Sequence, residues 1–285
     1  MHTTSGVRIY QVFNYLFFSV VTVIMLLPFL NVLTMSLEPE YIAVQQGLHL
    51  FPREVTLEAY RSILTRSSII LAFRNSVIVS LSGAALGTIV TAMYGYAIAQ
   101  DELPGVRLFS YMLVFTMMFS GGLIPSYLLI RDLGLINNLA ALVLPALITG
   151  YNTILMRSFF RSIPPALSEA AMIDGCTEWQ TFFRIIIPLS KPIFATIFLF
   201  YMVARWNSYI DAMLYMTRTD LRTLQVLLRE ILILSDMVAE NATDVNLGKN
   251  VTMATAIVSI VPILCVYPFL QKYFTKGIML GGVKG

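Results

Sequence analysis

Apolar residues in this chain fall in long continuous runs separated by short polar stretches, and they rarely alternate. Six runs stand out, at residues 13–36, 69–99, 108–130, 138–160, 192–214 and 253–272. Each is long enough to cross a hydrocarbon layer of about 30 Å as a helix. Only helices or closed barrels satisfy their own backbone groups in lipid, and unbroken apolar runs favour helices. The pattern predicts an all-α polytopic membrane protein in which six transmembrane helices make one domain over residues 1–285. The first run is too long for a secretory core and lacks a small-residue cleavage site, so it reads as a retained span.

Two runs carry irregularities. Gly121-Gly122 and Pro125 interrupt the third, which marks either a transport path or a packing kink. The fifth contains YMVARWNSYIDAM, with Arg205 near its middle. A charge at that depth is costly and points to a pathway or a buried partner. Tyr201, Arg205, Ser208 and Tyr209 share one helical face, and Trp206 and Asn207 lie beside it. Aromatic rings with amide and hydroxyl groups suit sugars, and a guanidinium fork suits a carboxylate. Tyr201, Arg205, Trp206, Asn207 and Tyr209 are therefore candidates for the substrate path. The competing reading pairs Arg205 with an acid such as Asp211.

The loops differ in character. Residues 38–68 and 215–252 are long, and Leu224, Leu227, Leu228, Ile231 and Leu232 in the second recur at helical spacing. That makes an amphipathic helix, at the membrane interface or in a docking loop. Between the fourth and fifth runs lies EAAMIDGCTEWQTFFRIIIPLSKP, from Glu169 to Pro192. Pro165 suits the first turn of a helix, and Gly175 suits its left-handed end. Thr177 and Gln180 have the spacing of a capping box for a second helix that stops near Pro188. Ala170 and Ala171 let another backbone approach closely. Trp179, Phe182 and Phe183 either meet a partner or pack beneath the chain's own helices.

Charge orients the chain. The tail carries Lys272, Lys276 and Lys284 without acids, and the insert is flanked by Arg157 and Arg161 and holds Arg184 and Lys191. The positive-inside rule puts residues 161–191, the tail 273–285 and both termini in the cytoplasm, with 38–68 and 215–252 outside.

Composition agrees with the class: 57% of residues are hydrophobic and 12% charged, about half the charge of a soluble domain. A net charge of +3 gives no sign of nucleic-acid binding. Cys176 and Cys265 form no framework, and His2 and His49 stand alone, so no metal site follows.

Glu169-Ala170-Ala171, then Gly175, Ile185 and Ile187-Pro188, resembles the EAA loop of ABC importer permeases. The one departure is Ile187, where that family has leucine. Asp174, the run Leu189-Ser190-Lys191-Pro192, Trp206-Asn207 and the ending Gly281-Gly282-Val283-Lys284-Gly285 look like its carbohydrate-uptake branch, the maltose type included. Ser120-Gly121-Gly122-Leu123-Ile124-Pro125 and the 224–232 helix resemble permeases for larger saccharides, alginate among them.

The resemblance implies a type I ABC importer permease in the bacterial inner membrane, importing oligo- or polysaccharide. Its partners would be a second permease in a heterodimer, two ATPase subunits that bind ATP and Mg, and an extracytoplasmic solute-binding protein. Glu169, Ala170, Ala171, Asp174, Gly175 and Pro188 would form the contact with the ATPase. The chain has no G-x-x-x-x-G-K-[ST] loop, so ATP chemistry falls to the partners. The alternatives are an importer permease for a non-sugar solute, or a secondary transporter. The latter needs coupling-ion residues inside the spans, and acids there are few. An intramembrane enzyme would need a nucleophile–base pair or a metal cluster that the spans lack.

Overall fold

The computed structural model describes residues 5–241 and 248–281, with side chains for 10–233 and 248–268. The basic side chains of the tail and residues 282–285 lie outside the described residues. The described chain is helical. In order, the helices are α1 (Ser5–Leu37), α2 (Glu40–Ala43), α3 (Glu58–Thr65), α4 (Ser67–Ala97), α5 (Val106–Met118), α6 (Leu123–Asp132) and α7 (Gly150–Ser162). They continue with α8 (Pro165–Ile173), α9 (Glu178–Thr181), α10 (Ile187–Leu189), α11 (Lys191–Trp206), α12 (Ile210–Tyr215), α13 (Leu224–Asn241) and α14 (Lys249–Gly281).

Three stretches are single helices long and apolar enough to cross a membrane: Tyr10–Leu37, Ser67–Ala97 and Lys249–Pro268. Three more spans are reached by counting each sharply bent pair as one. These are α5 with α6 at 116°, Leu139–Ala146 with α7 at 49°, and Glu178–Leu189 with α11 at 82°. The runs at 108–130 and 138–160 are thus each bent, and the run at 192–214 is interrupted at 207–209.

Each break has a local cause. Gly122, at φ +86°, turns the third run where a side chain would be strained. In the fourth, Pro145 sits within short 3-10 turns, Leu139–Leu142 and Leu144–Ala146, because it cannot donate to a continuing α-helix. In the fifth, the bend falls at Ser190, just before Pro192 in the first turn of α11; α11 then ends at Trp206, and residues 207–209 separate it from α12.

By contact the chain divides into two units, Met1–Ile70 with Leu228–Val261 and Leu71–Leu227 with Pro262–Gly285. In the first, Glu38 is fully buried. Its carboxylate bonds His49 Nδ1 at 2.6 Å and accepts the Arg53 N–H at 3.0 Å. Its carbonyl takes the Asn250 amide at 3.2 Å, and the Glu40 carboxylate accepts the Lys249 N–H at 2.8 Å at the start of α14. A polar loop is thereby closed on itself. The second unit has two apolar clusters. One joins Ala84 and Ala92 of α4, Met156 and Phe160 of α7, Phe182 and Ile186, and Ile193, Ile197 and Tyr201 of α11. The other gathers Val79, Ile130, Leu142, Ala212, Tyr215 and Val226.

Candidate functional site

The insert between α7 and α11 folds as its local signals dictate. Pro165 occupies the first turn of α8, where its missing N–H costs nothing. Gly175 ends that helix at φ +82°, with the Cys176 N–H returning to the Ala171 carbonyl at 2.9 Å. Thr177 and Gln180 close a reciprocal capping box: Thr177 Oγ1 accepts the Gln180 N–H, and Gln180 Oε1 accepts the Thr177 N–H at 2.9 Å. The second helix passes through a π-helical stretch at Phe182–Ile186 and continues as α10. Pro188 has no N–H for the usual i−4 bond, and the wider turn precedes it directly.

The two faces of the insert are chemically different. Ala171, Phe182 and Ile186 are buried; Phe182 is 3% exposed and packs tilted against Tyr96 of α4 at 4.8 Å and edge-on against Phe160 of α7 at 6.4 Å. Trp179 and Phe183 point outward, at 60% and 58% exposure, and stack on each other at 6.1 Å. The aromatic triplet is therefore divided, one ring anchoring the insert and two presented. Ile173 is 86% exposed, and Glu169, Ala170, Asp174 and Gly175 are also on the surface. Of the two small residues, Ala170 is open and Ala171 faces in.

Beside the insert a cleft of about 490 Å³ is lined by Met93, Tyr96, Glu102, Met172, Trp179 and Phe182. Tyr96 donates to Glu178 at 3.2 Å across it. Glu169 lines a neighbouring cleft of about 360 Å³ with Asp101 and Arg161, which are ion-paired.

The five residues expected on a substrate path separate. Tyr201 is 2% exposed, and its hydroxyl meets Thr91 Oγ1 at 2.7 Å, the Leu147 carbonyl at 3.0 Å and the Thr149 N–H at 3.1 Å. Trp206 is also 2% exposed and packs edge-on against Phe73. Arg205 donates to the Leu142 carbonyl at 3.0 Å, with Asp211 more distant at 3.9 Å. Asn207 is exposed and donates to the Val203 carbonyl at 3.0 Å, and the Tyr209 hydroxyl reaches Met213 Sδ at 2.8 Å. The rings of Tyr201 and Trp206 are core groups: the break in the fourth run closes on the Tyr201 hydroxyl, and Phe73 of α4 packs on Trp206.

A feature absent from the sequence reading supports this core. Gly83, Gly87, Thr91 and Gly95 recur every four residues along α4 and are all buried. An added Cβ at Gly83 would stand 2.8 Å from Arg205 Cγ, and one at Gly87 would stand 3.0 Å from the Tyr201 ring. At Gly95 it would meet Met156 at 3.2 Å. The small-residue spacing that lets membrane helices approach was legible in the sequence.

Residues 103–279 match the family of binding-protein-dependent transport system inner membrane components. Among curated proteins, Protein LplC of Bacillus subtilis (strain 168) is 38% identical over 289 residues, covering 100% of this chain and 98% of that one. The polygalacturonan/rhamnogalacturonan transport system permease protein YtcP of the same strain is 38% identical over 283 residues, 98% and 99% of the two chains. Among solved structures, a chain of a bacterial ABC transporter involved in import of the acidic polysaccharide alginate superposes with a TM-score of 0.87. It is 29% identical and covers 96% of this chain and 99% of its own.

Proposed function

This chain belongs to the family of binding-protein-dependent transport system inner membrane components, and from that premise we propose how its two-faced insert serves transport. The protein is a non-catalytic, multi-pass permease subunit of an ABC importer for oligo- or polysaccharides in the inner membrane. ATP and Mg belong to the family's ATPase partners, and a binding protein delivers cargo.

The insert is the seat of the ATPase subunit. The observation that carries this is its division into a buried face, Ala171, Phe182 and Ile186, and a bare apolar face, Ile173, Trp179 and Phe183. Apolar rings held out on a rigid base suit a protein partner. Glu169 and Asp174 add acidic groups to that surface for a basic counterpart. Two ATPase subunits, one per permease of a heterodimer, complete the assembly. Residues 161–191 and both termini face the cytoplasm, and 38–68 and 215–252 face outward.

The second permease covers the break between α5 and α6. Helix α5 has 13 residues, about 20 Å of rise, so the turn at residues 119–122 falls within the hydrocarbon layer. Non-helical backbone at that depth must meet protein or a water-filled cavity. Met118, Phe119 and Ile124 are exposed around it. This turn lines the cargo route between the two permeases. The cargo class is an acidic oligosaccharide, supported by the polygalacturonan/rhamnogalacturonan and the acidic polysaccharide alginate named for two similar proteins.

The test is reconstitution of the complex in proteoliposomes with its binding protein. Uronate-bearing oligosaccharides should stimulate ATP hydrolysis and uptake, and neutral ones should stimulate far less; equal stimulation overturns the acidic class. Gly175→Val has room for its side chain but strains a backbone at φ +82°, by about 1–2 kcal/mol. It should insert normally and lose saccharide-stimulated hydrolysis. Uptake equal to the wild type would contradict the seat.

A further inference from the structure

We propose that Tyr201 and Arg205 are positioning residues that fasten α11 to the interrupted fourth span, so that displacement of the insert reaches that break. The proposal rests on the reading of the insert as the ATPase seat. It assigns to these two side chains a mechanical role in place of contact with cargo.

Continuity of the chain comes first. Helix α11 begins at Lys191, immediately after the last turn of the insert, and Tyr201 lies ten residues along it, about 15 Å. Ile193 and Ile197 fill the interval, in the same apolar cluster as Phe182 and Ile186 of the insert. One packed column therefore runs from the insert to Tyr201. Close-packed columns transmit displacement because they deform little.

What Tyr201 holds is specific. A phenolic hydroxyl offers one donor and acceptor lone pairs. Here it donates to the Leu147 carbonyl and accepts from the Thr149 N–H and from Thr91 Oγ1. Leu147 and Thr149 flank the 49° bend that separates Leu139–Ala146 from α7. Their backbone groups are freed by the broken helix, and in a low dielectric each would be costly unpaired. One turn further along, Arg205 donates to the Leu142 carbonyl, at the end of the preceding 3-10 turn. Two side chains of one helix thus clasp the interrupted segment on both sides of Pro145.

The clasp is seated closely. Gly87 lies under the Tyr201 ring, and Gly83 lies under the aliphatic stem of Arg205. With Tyr201 2% exposed and the Arg205 side chain 16% exposed, neither presents an open surface to a saccharide. Both bonds run to backbone, so they act on the course of the chain itself.

The experiment compares Tyr201→Phe, Arg205→Met and Arg205→Lys with the wild type in proteoliposomes holding the whole complex and its binding protein. ATP hydrolysis, uptake, the saccharide concentration for half-maximal stimulation and thermal stability are measured on each. Tyr201→Phe keeps the ring and removes the three hydroxyl contacts. It should hydrolyse ATP within about twofold of the wild type while uptake per ATP falls about tenfold, in the usual range of coupling between sites. Arg205→Met should behave likewise, and Arg205→Lys, which retains a donor for Leu142, should recover part of the loss. Half-maximal saccharide concentration should not move.

Unchanged uptake per ATP overturns the clasp. So does a parallel fall of hydrolysis, uptake and stability, which would mean packing alone, and so does a shift confined to half-maximal concentration, which would mean cargo contact. A photocrosslinker at Ile173 keeps the two readings apart. Capture of the ATPase from Ile173 with unchanged uptake per ATP in Tyr201→Phe rejects only the clasp, whereas no capture in the wild type rejects the seat beneath it.

Discussion

The loop at residues 38–56 and the insert at 165–189 are both compact, loop-bound structures on a membrane chain, yet they are finished differently. The first turns its chemistry inward. Glu38 is fully buried and bonded to His49 and Arg53, and the Tyr41 hydroxyl donates to Glu54 at 2.5 Å, a contact that raises the Tyr41 pKa. The insert buries one aromatic ring and leaves Trp179, Phe183 and Ile173 uncovered. The first also leaves Leu48, Phe51 and Val55 exposed, so bare apolar surface alone does not separate the two; what the insert adds is a pair of stacked rings held out on a capped, proline-bounded scaffold.

The largest effect expected from breaking this contrast is on the anchored face. Phe182→Ala removes a buried ring between Tyr96 and Phe160 and should cost about 3–5 kcal/mol, read as a lowered melting temperature of the purified permease complex. On the bare face, Trp179→Ala with Phe183→Ala should leave the stability of the isolated permease within about 0.5 kcal/mol. The same change should weaken ATPase association by about 2 kcal/mol or more, some 30-fold, in a pull-down titration. Equal losses of stability from the two faces would erase the distinction.

In the loop at residues 38–56, Glu38→Gln keeps the shape but gives up the charge-assisted contacts to His49 and Arg53. It should lower stability by about 1–2 kcal/mol while ATPase association stays unchanged. The smallest effect concerns Asp220, whose carboxyl is held below its ordinary 3.8 by the hydrogen bond from Arg218. A depressed carboxyl stabilises the fold above its unfolded pKa and loses that contribution as pH falls through the folded value. The small melting difference between wild type and Asp220→Asn should accordingly be present at neutral pH and fade as the pH falls through the depressed folded value.

Local signals in the sequence were sufficient for the insert. Proline at a helix start, glycine at a left-handed end and a Thr–Gln capping box each act over four residues or fewer, and all three have the predicted geometry. The glycine turn at 121–122 was legible for the same reason. The fourth run keeps its apolar length but not one helix type, because hydropathy does not distinguish an α-helix from apolar 3-10 turns and Pro145 interrupts the ladder. Tyr201 and Arg205 do share a face of α11, whereas Ser208 and Tyr209, expected on the same face, lie beyond its end, and the company the first two keep was hidden. Their partners are backbone groups freed by a break more than fifty residues away, and no local pattern encodes that. The stripe of Gly83, Gly87, Thr91 and Gly95 was in plain view and is the better signal for the packed centre.

The central claim is that the bare face of the insert meets the ATPase. A photocrosslinking residue at Ile173, with Phe51 of the 38–56 loop (83% exposed) as the control, tests it in membranes holding the intact complex. Capture of the ATPase subunit from Ile173 and not from Phe51 is the predicted result. Capture from Phe51 alone, or from neither, would contradict it.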